Sequence, residues 1–106
     1  MDEDDIGLHF GAFYNGLLVG VVSLFQRGTD FQFRKFAVLL QMQGKGIGNT
    51  LLQYITDFAM QQGGSRIWCN ARLSALGFYS KAGFIATGQT FSTNGFDYEI
   101  FEKQLA

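Results

Sequence analysis

The tightest constraint on this chain is a change of hydrophobic period at residues 43–48, QGKGIG. Before it, apolar residues follow the patterns of strands, a two-residue rhythm or a short run apolar on both faces. After it, they recur every three or four residues, the rhythm of a helix. A chain that changes period across a glycine-rich loop passes from sheet to helix there. That excludes an all-helical bundle and an all-β sandwich.

The strand rhythm begins early. Ile6, Leu8, Phe10, Ala12 and Tyr14 fall on one face of a segment running from Ile6 to Tyr14. Asn15-Gly16 follows, a pair that accepts the positive φ angles of a tight hairpin. Leu17 to Phe25 is apolar on both faces and predicts a central strand. Gln26 to Asp30 predicts a turn, and Phe31 to Leu39 a third strand carrying Arg34 and Lys35. These three form an antiparallel meander. The chain has no proline, so its turns rest on glycine and asparagine.

Beyond the loop, Ile47, Leu51, Leu52, Ile55, Phe58 and Ala59 share one face of an amphipathic helix. Gly63-Gly64 ends it, because glycine takes the left-handed cap conformation without penalty. Arg66 to Asn70 reads as a short buried strand and Leu73 to Ala82 as a second helix closed by Gly83. Phe84 to Gln89 reads as a strand and, after the Asn94-Gly95 turn, Phe96 to Phe101 as the last. The expected fold is an α/β (α+β) domain with a mixed sheet, in the order β-β-β-α-β-α-β-β. A helical connection between the third and fourth strands favours parallel pairing. The glycine loop then lies at the carboxyl end of the third strand, where ligands gather in such sheets.

Composition narrows the function. A chain of 106 residues makes one domain. The acids of residues 1–5, MDEDD, read as a disordered, solvated tail, which leaves 6–106 as the folded unit. A net charge of −1 offers no lysine-rich face for nucleic acid. The single cysteine, Cys69, rules out an intrachain disulfide and reads as core. With His9 the only histidine, no cluster has metal-ligand spacing. The N-terminus lacks the pattern of a secretory signal. The longest apolar stretch, Leu17 to Phe25, falls short of the ~20 residues needed to span a bilayer. A soluble, cytoplasmic protein is expected, with neither nucleic acid nor membrane as partner.

The loop itself has two readings. A helix N-terminus exposes unpaired N–H groups and a partial positive charge, so it attracts anions, and glycines let a phosphate approach the backbone. The same residues also serve as a plain entry into a helix. Two nucleotide motifs fail on spacing. A Walker loop needs glycine where Leu39 stands and Ser/Thr where Gly46 stands. A dinucleotide fingerprint starting at Gly44 needs glycine where Asn49 stands.

A second stretch bears on the choice: NARLSALGFYSKAGF, from Asn70 to Phe84. Gln43-Gly44-Lys45-Gly46-Ile47-Gly48 matches Gln/Arg-x-x-Gly-x-Gly/Ala. Asn70, Ala75, Tyr79, Lys81, Gly83 and Phe84 match Asn-x-x-x-x-Ala-x-x-x-Tyr-x-Lys-x-Gly-Phe. In this order the two motifs resemble those of the GNAT superfamily of acetyl-CoA-dependent N-acetyltransferases. The resemblance extends roughly from Leu8 to Leu105, with the motifs within residues 37–84.

The resemblance implies a sheet whose two parallel central strands splay apart, with acetyl-CoA as cosubstrate in the wedge. Backbone groups at Val38 and Leu40 would pair with the pantetheine arm, and the Val38 N–H would face the oxyanion. The amides of Gln43, Gly44, Lys45, Gly46, Ile47, Gly48 and Asn49 would hold the pyrophosphate, with the Lys45 side chain turned to solvent or to a phosphate. Tyr79 would protonate the departing thiolate, its plain alternative being a core aromatic. Asn70, capping the fourth strand, would bind the cofactor directly or through water, its plain alternative being a local helix N-terminus or turn residue. The acceptor would be a small-molecule or peptide primary amine.

Three departures stand out. Many relatives carry a glutamate on the third strand, where this chain has Gln32, Arg34 and Lys35. His9, Asp97, Glu99 or a water chain are then the candidate bases. Proline is frequent where Leu40 stands. Relatives usually begin with a strand and two helices that wall the acceptor site. Their absence here implies a fragment, a minimal member or a homodimer, and leaves a non-catalytic CoA-binding module as the alternative function.

Overall fold

A computed structural model describes residues 7–105. The acidic stretch 1–5 and Ile6 lie outside the described residues. The meander forms as expected, from β1 (Leu8–Tyr14), β2 (Leu17–Arg27) and β3 (Asp30–Val38), paired antiparallel in turn. Asn15 and Gly16 take φ of 52° and 82°, the left-handed pair that a tight hairpin needs. Strand β2 has neighbours on both sides, as its apolar run predicts.

Helix α1 (Ile47–Gln61) buries Leu51, Leu52, Ile55 and Ala59. Thr56 is buried with them and satisfies its hydroxyl by donating to the Leu52 carbonyl at 2.8 Å. The helix closes as the double glycine predicts. Gly63 has φ 81°, its N–H donates to the Met60 carbonyl, and the Gly64 N–H donates to the Ala59 carbonyl. Strand β4 (Arg66–Arg72) runs two residues past its expected end.

The second helix is shorter than expected. Residues Leu73–Ala75 form a 3-10 turn, and α2 spans only Leu76–Lys81. Ser74 and Gly77, both weak helix formers, stand in this opening stretch. Strands β5 (Ile85–Thr93) and β6 (Phe96–Gln104) complete the sheet, each longer than the apolar runs that announce them.

The sheet order is β1-β2-β3-β4-β6-β5, so the last strand inserts beside β4 and β5 forms the edge. Both helices pack on one face. The core there joins Val22, Leu24, Phe31, Phe33, Ile67, Cys69, Ala71 and Phe101 to the apolar side of α1. The opposite face carries Phe25, Gln32, Arg34, Trp68 and Asn70, alternate residues to those in the core.

One irregularity in β3 matters for the site. Ser23 pairs with Arg34 but Val21 pairs with Ala37, so β3 holds an extra residue. Lys35, with φ 58°, is that bulge. It shifts the side-chain alternation by one. Phe33 and Phe36 both turn to the helix face, their rings 5.9 Å apart edge to face. Without the bulge one of them would face outward.

Candidate active site at the split in the sheet

Strands β3 and β4 pair in parallel over three rungs only: Asp30–Arg66, Phe31–Ile67 and Gln32–Trp68. Beyond Gln32, β3 continues to Val38 and β4 to Arg72 without pairing to each other. The splay expected of the central strands is therefore present. The Lys35 bulge lies within the unpaired part of β3 and bends that strand. On the other side β4 stays fully paired to β6, from Arg66–Gln104 to Arg72–Tyr98.

The polarity of the gap follows from the hydrogen bonds at its lip. The Leu39 N–H donates to the Val19 carbonyl at 2.9 Å, so it points toward β2. Successive residues of a strand point their N–H groups to opposite sides. The Val38 N–H thus points into the gap. The Val38 carbonyl lies on the same side and accepts the Gln43 side-chain amide at 3.1 Å.

The loop after β3 is not extended. Leu40–Met42 form a 3-10 turn, in which the Leu40 carbonyl accepts the Gln43 N–H at 3.2 Å. Leu40 is not a strand residue, and its carbonyl is already engaged. Its side chain is 80% exposed, an apolar surface at the mouth of the gap. Both the backbone and the side chain of Gln43 hold the loop's shape, which leaves Gly44, Lys45 and Gly46 exposed, followed by the half-buried Ile47 and Gly48 and the exposed Asn49.

Gly44 and Gly46 have φ of 84° and 85°, so their glycine requirement is conformational. A Cβ at either would meet nothing within 4 Å. Gly48 is different: a Cβ there would lie 3.4 Å from the Phe78 ring, so this glycine lets α1 and α2 close together. The first helical bond runs from the Thr50 N–H to the Gly46 carbonyl. The amides of Ile47, Gly48 and Asn49 therefore precede the helical ladder and project from the helix start. Arc and helix start make a cradle of N–H groups suited to an anion. Lys45 is exposed on this arc.

Tyr79 sits on the helix side of the split. Its ring lies 5.9 Å from Phe33, 5.1 Å from Phe78, 6.0 Å from Phe84 and 6.4 Å from Phe101. Phe33 is the first β3 residue past the last rung. Phe101 pairs with Cys69, the first β4 residue past it. Tyr79 therefore packs beside the point where the two strands part, against Phe33 of β3 and Phe101 of β6. Burial, with the neighbouring Cys69 adding to it, pushes the phenol above its usual range. Tyr79 stays protonated throughout the neutral range. Cys69 is buried and its thiol is pushed up to about 12, also by burial. It is inert core, as the sequence implies.

Asn70 does not cap β4. The strand runs on to Arg72, and Asn70 pairs with Ile100 while its side chain occupies the face away from the helices. The three candidate bases separate. His9 shares that face, its Nδ1 2.8 Å from the Ser23 hydroxyl. Asp97 accepts the Ser92 hydroxyl at 2.5 Å, and Glu99 accepts the Gly88 N–H at 3.0 Å. Both carboxylates tie the β5–β6 hairpin together. The sequence reading missed Gln32 and Trp68, the rung at which the sheet opens. No local signal marks where a parallel ladder stops.

A mixed sheet split between two parallel strands, with a glycine arc and a helix start at its mouth, defines a class of α/β proteins. Such a frame can take an extended, anion-tailed ligand between its strands. The sequence profile of the acetyltransferase (GNAT) domain matches residues 1–105, and the chain belongs to that family. It is 27% identical over 106 residues to the uncharacterized N-acetyltransferase YitI of Bacillus subtilis, covering 93% of this chain and 71% of the relative. The IAA acetyltransferase structure from Bacillus cereus is 26% identical with a TM-score of 0.84, covering 97% of this chain and 81% of that one. A GNAT family acetyltransferase from Elizabethkingia anophelis, solved with acetyl-CoA bound, has a TM-score of 0.82 at 21% identity and coverages of 97% and 79%. The chain spans between 64% and 81% of the length of these and similar solved structures. No helix among the described residues is long and apolar enough to cross a membrane.

Proposed function

We propose that this chain is an N-acetyltransferase that moves an acetyl group from acetyl-CoA to a primary amine by direct attack. The observation that carries this is the end of the β3–β4 ladder at Gln32–Trp68, with the Val38 N–H aimed into the gap. When bound, acetyl-CoA supplies a thioester carbonyl for the amine to attack and a thiolate leaving group. The Val38 N–H donates to the oxygen on which charge develops. Tyr79, at the apex of the gap, gives its phenolic proton to the departing sulfur. Burial disfavours a free thiolate in this place as it disfavours a phenolate, so donor and acceptor shift in the same direction. The amides from Gly44 to Asn49 hold the pyrophosphate, and the exposed Leu39 and Leu40 line the apolar arm. Asn70 contributes to holding the cofactor from the far face. The amine loses its proton to water, or to His9, the one candidate base on that face. Isothermal titration tests the cofactor: saturable heat with acetyl-CoA is expected, and none at millimolar ligand removes both the binding and the transferase reading.

A second reading has its own support. Asp97 and Glu99 are engaged in a hairpin, and Arg34 stands on the strand where relatives carry an acid. A chain that binds acetyl-CoA without passing acetyl to any amine fits that arrangement. Release of free CoA thiol across a broad amine panel separates the two, since the binding module shows none.

A further inference from the structure

On the helix face, between α1 and the end of α2, lies a cavity of about 270 Å3. Small-molecule sites run to ~300–1,000 Å3, so this one suits a single group of a ligand rather than the whole of it. Lys81 and Lys103 line it from one side and Asn49 and Gln53 from the other, over the buried Leu52 and Phe84. No carboxylate is among the described lining residues. Asp57, one turn on from Gln53, accepts the Gln53 side-chain amide at 2.9 Å and does not line the cavity.

The two lysines differ in how they are held. Lys103 donates to the Ala82 carbonyl at 3.1 Å, at the end of α2. Gly83 makes room for it: a Cβ there would lie 3.2 Å from the Lys103 Nζ. That bond runs to a neutral carbonyl, so it leaves the ammonium charge unpaired and its other donors to spare. Glu102, the residue before it, is taken by Arg66 at 2.5 Å. Lys81 is exposed and has neither a hydrogen bond nor an ion pair among the described residues. It is also the motif lysine to which the reaction above gives no part.

The cavity adjoins the amide cradle at the mouth of the split. Asn49 supplies an amide of the helix start and also lines the cavity. Gln53 follows one turn on, about 6 Å along the helix axis. A ligand that rests one phosphate on the cradle therefore places a second, one ribose away, beside the lysines. CoA has that layout: its ribose carries the pyrophosphate at C5′ and a phosphate monoester at C3′. Resting on the cofactor of the reading above, we propose that this cavity takes the 3′-phosphate of CoA. A phosphate monoester carries close to two negative charges at neutral pH, and Lys81 and Lys103 answer them. They are specificity-determining residues, selecting acetyl-CoA over acyl carriers whose pantetheine arm brings no such phosphate.

Calorimetry on the full chain tests this with acetyl-CoA and its 3′-dephospho form, without any turnover. Acetyl-CoA should bind roughly ten- to a hundredfold more tightly, and the difference should narrow as salt rises. Lys81→Gln should weaken acetyl-CoA about five- to tenfold and leave the dephospho form unchanged. Lys103→Gln, read in the same way, covers the case that the first variant does not fold. Adenosine 3′,5′-bisphosphate should compete with acetyl-CoA, and inorganic phosphate at the same concentration should not. Equal affinity for the two cofactor forms overturns the proposal and leaves the transferase. Acetyl-CoA binding indifferent to both variants overturns it too, as does a loss equally large for the dephospho form. Inorganic phosphate that competes as well as the bisphosphate overturns it by making the cavity a general anion site. Binding of neither cofactor form sinks the transferase reading, and this one with it.

Discussion

Tyr79 shows how little separates a core aromatic from a catalytic one. Its ring is packed by four phenylalanines, as any core residue might be in a chain with twelve of them. What distinguishes it is position, over the point where β3 and β4 part. If its hydroxyl donates the proton to the leaving sulfur, Tyr79→Phe removes that proton and leaves the packing. Turnover should then fall by about ten- to a thousandfold with acetyl-CoA affinity near normal. Steady-state rates alongside calorimetry check this, and an unchanged rate returns Tyr79 to the core.

Cys69 and Tyr79 also set how the fold responds to alkali. Both hold their protons more tightly folded than unfolded, because burial penalises their charged forms. The unfolded chain therefore binds fewer protons at high pH, and stability falls as pH rises. For Cys69 the window runs from its ordinary 9.0 to about 12. The expected loss there is at most about 1.4 kcal/mol per pH unit for each such group. Urea unfolding at pH 8, 9 and 10.5 should show a flat first step and a drop in the second. A midpoint that holds to pH 10.5 contradicts the burial of both groups.

At the scale of elements, β3 is the strand whose irregularity shapes the site. Lys35 has a left-handed backbone, uncommon for a residue with a side chain. The bulge it makes turns both Phe33 and Phe36 inward, and it lies in the part of the strand that is not paired to β4. Lys35→Gly should relieve the backbone and stabilise by about 0.5–1 kcal/mol, while Lys35→Val, branched at Cβ, should destabilise by about 1–2 kcal/mol. Urea midpoints read both, and the opposite order refutes a strained bulge. The helix that follows was readable because its period is local: six apolar residues at three- and four-residue steps and a double glycine to close it. The second helix was overestimated for the same reason. Its motif residues have helical spacing, but Ser74 and Gly77 weaken its opening, and the chain takes a 3-10 turn there instead.

Across the whole molecule, the two helices cover one face of the sheet and leave arginines, aromatics and His9 on the other. The loop and Tyr79 belong to the helix side of the split, and Asn70 and His9 to the far side.

Much of this was present in the order of residues. The meander, the helix after the glycine loop, the left-handed turns at Asn15-Gly16 and Gly63, and the paired motifs all depend on neighbours within a few positions. Short-range sterics and periodicity decide such features, so a linear reading recovers them. The rest depends on residues far apart in sequence. That the β3–β4 ladder stops at Gln32–Trp68, that β6 rather than β5 lies beside β4, and that Gln43 spends its side chain on Val38 are outcomes of packing. The convergence of Lys81 and Lys103 on one cavity is another. Strand register and sheet order are settled by which faces the whole core can bury at once, and no single segment carries that information.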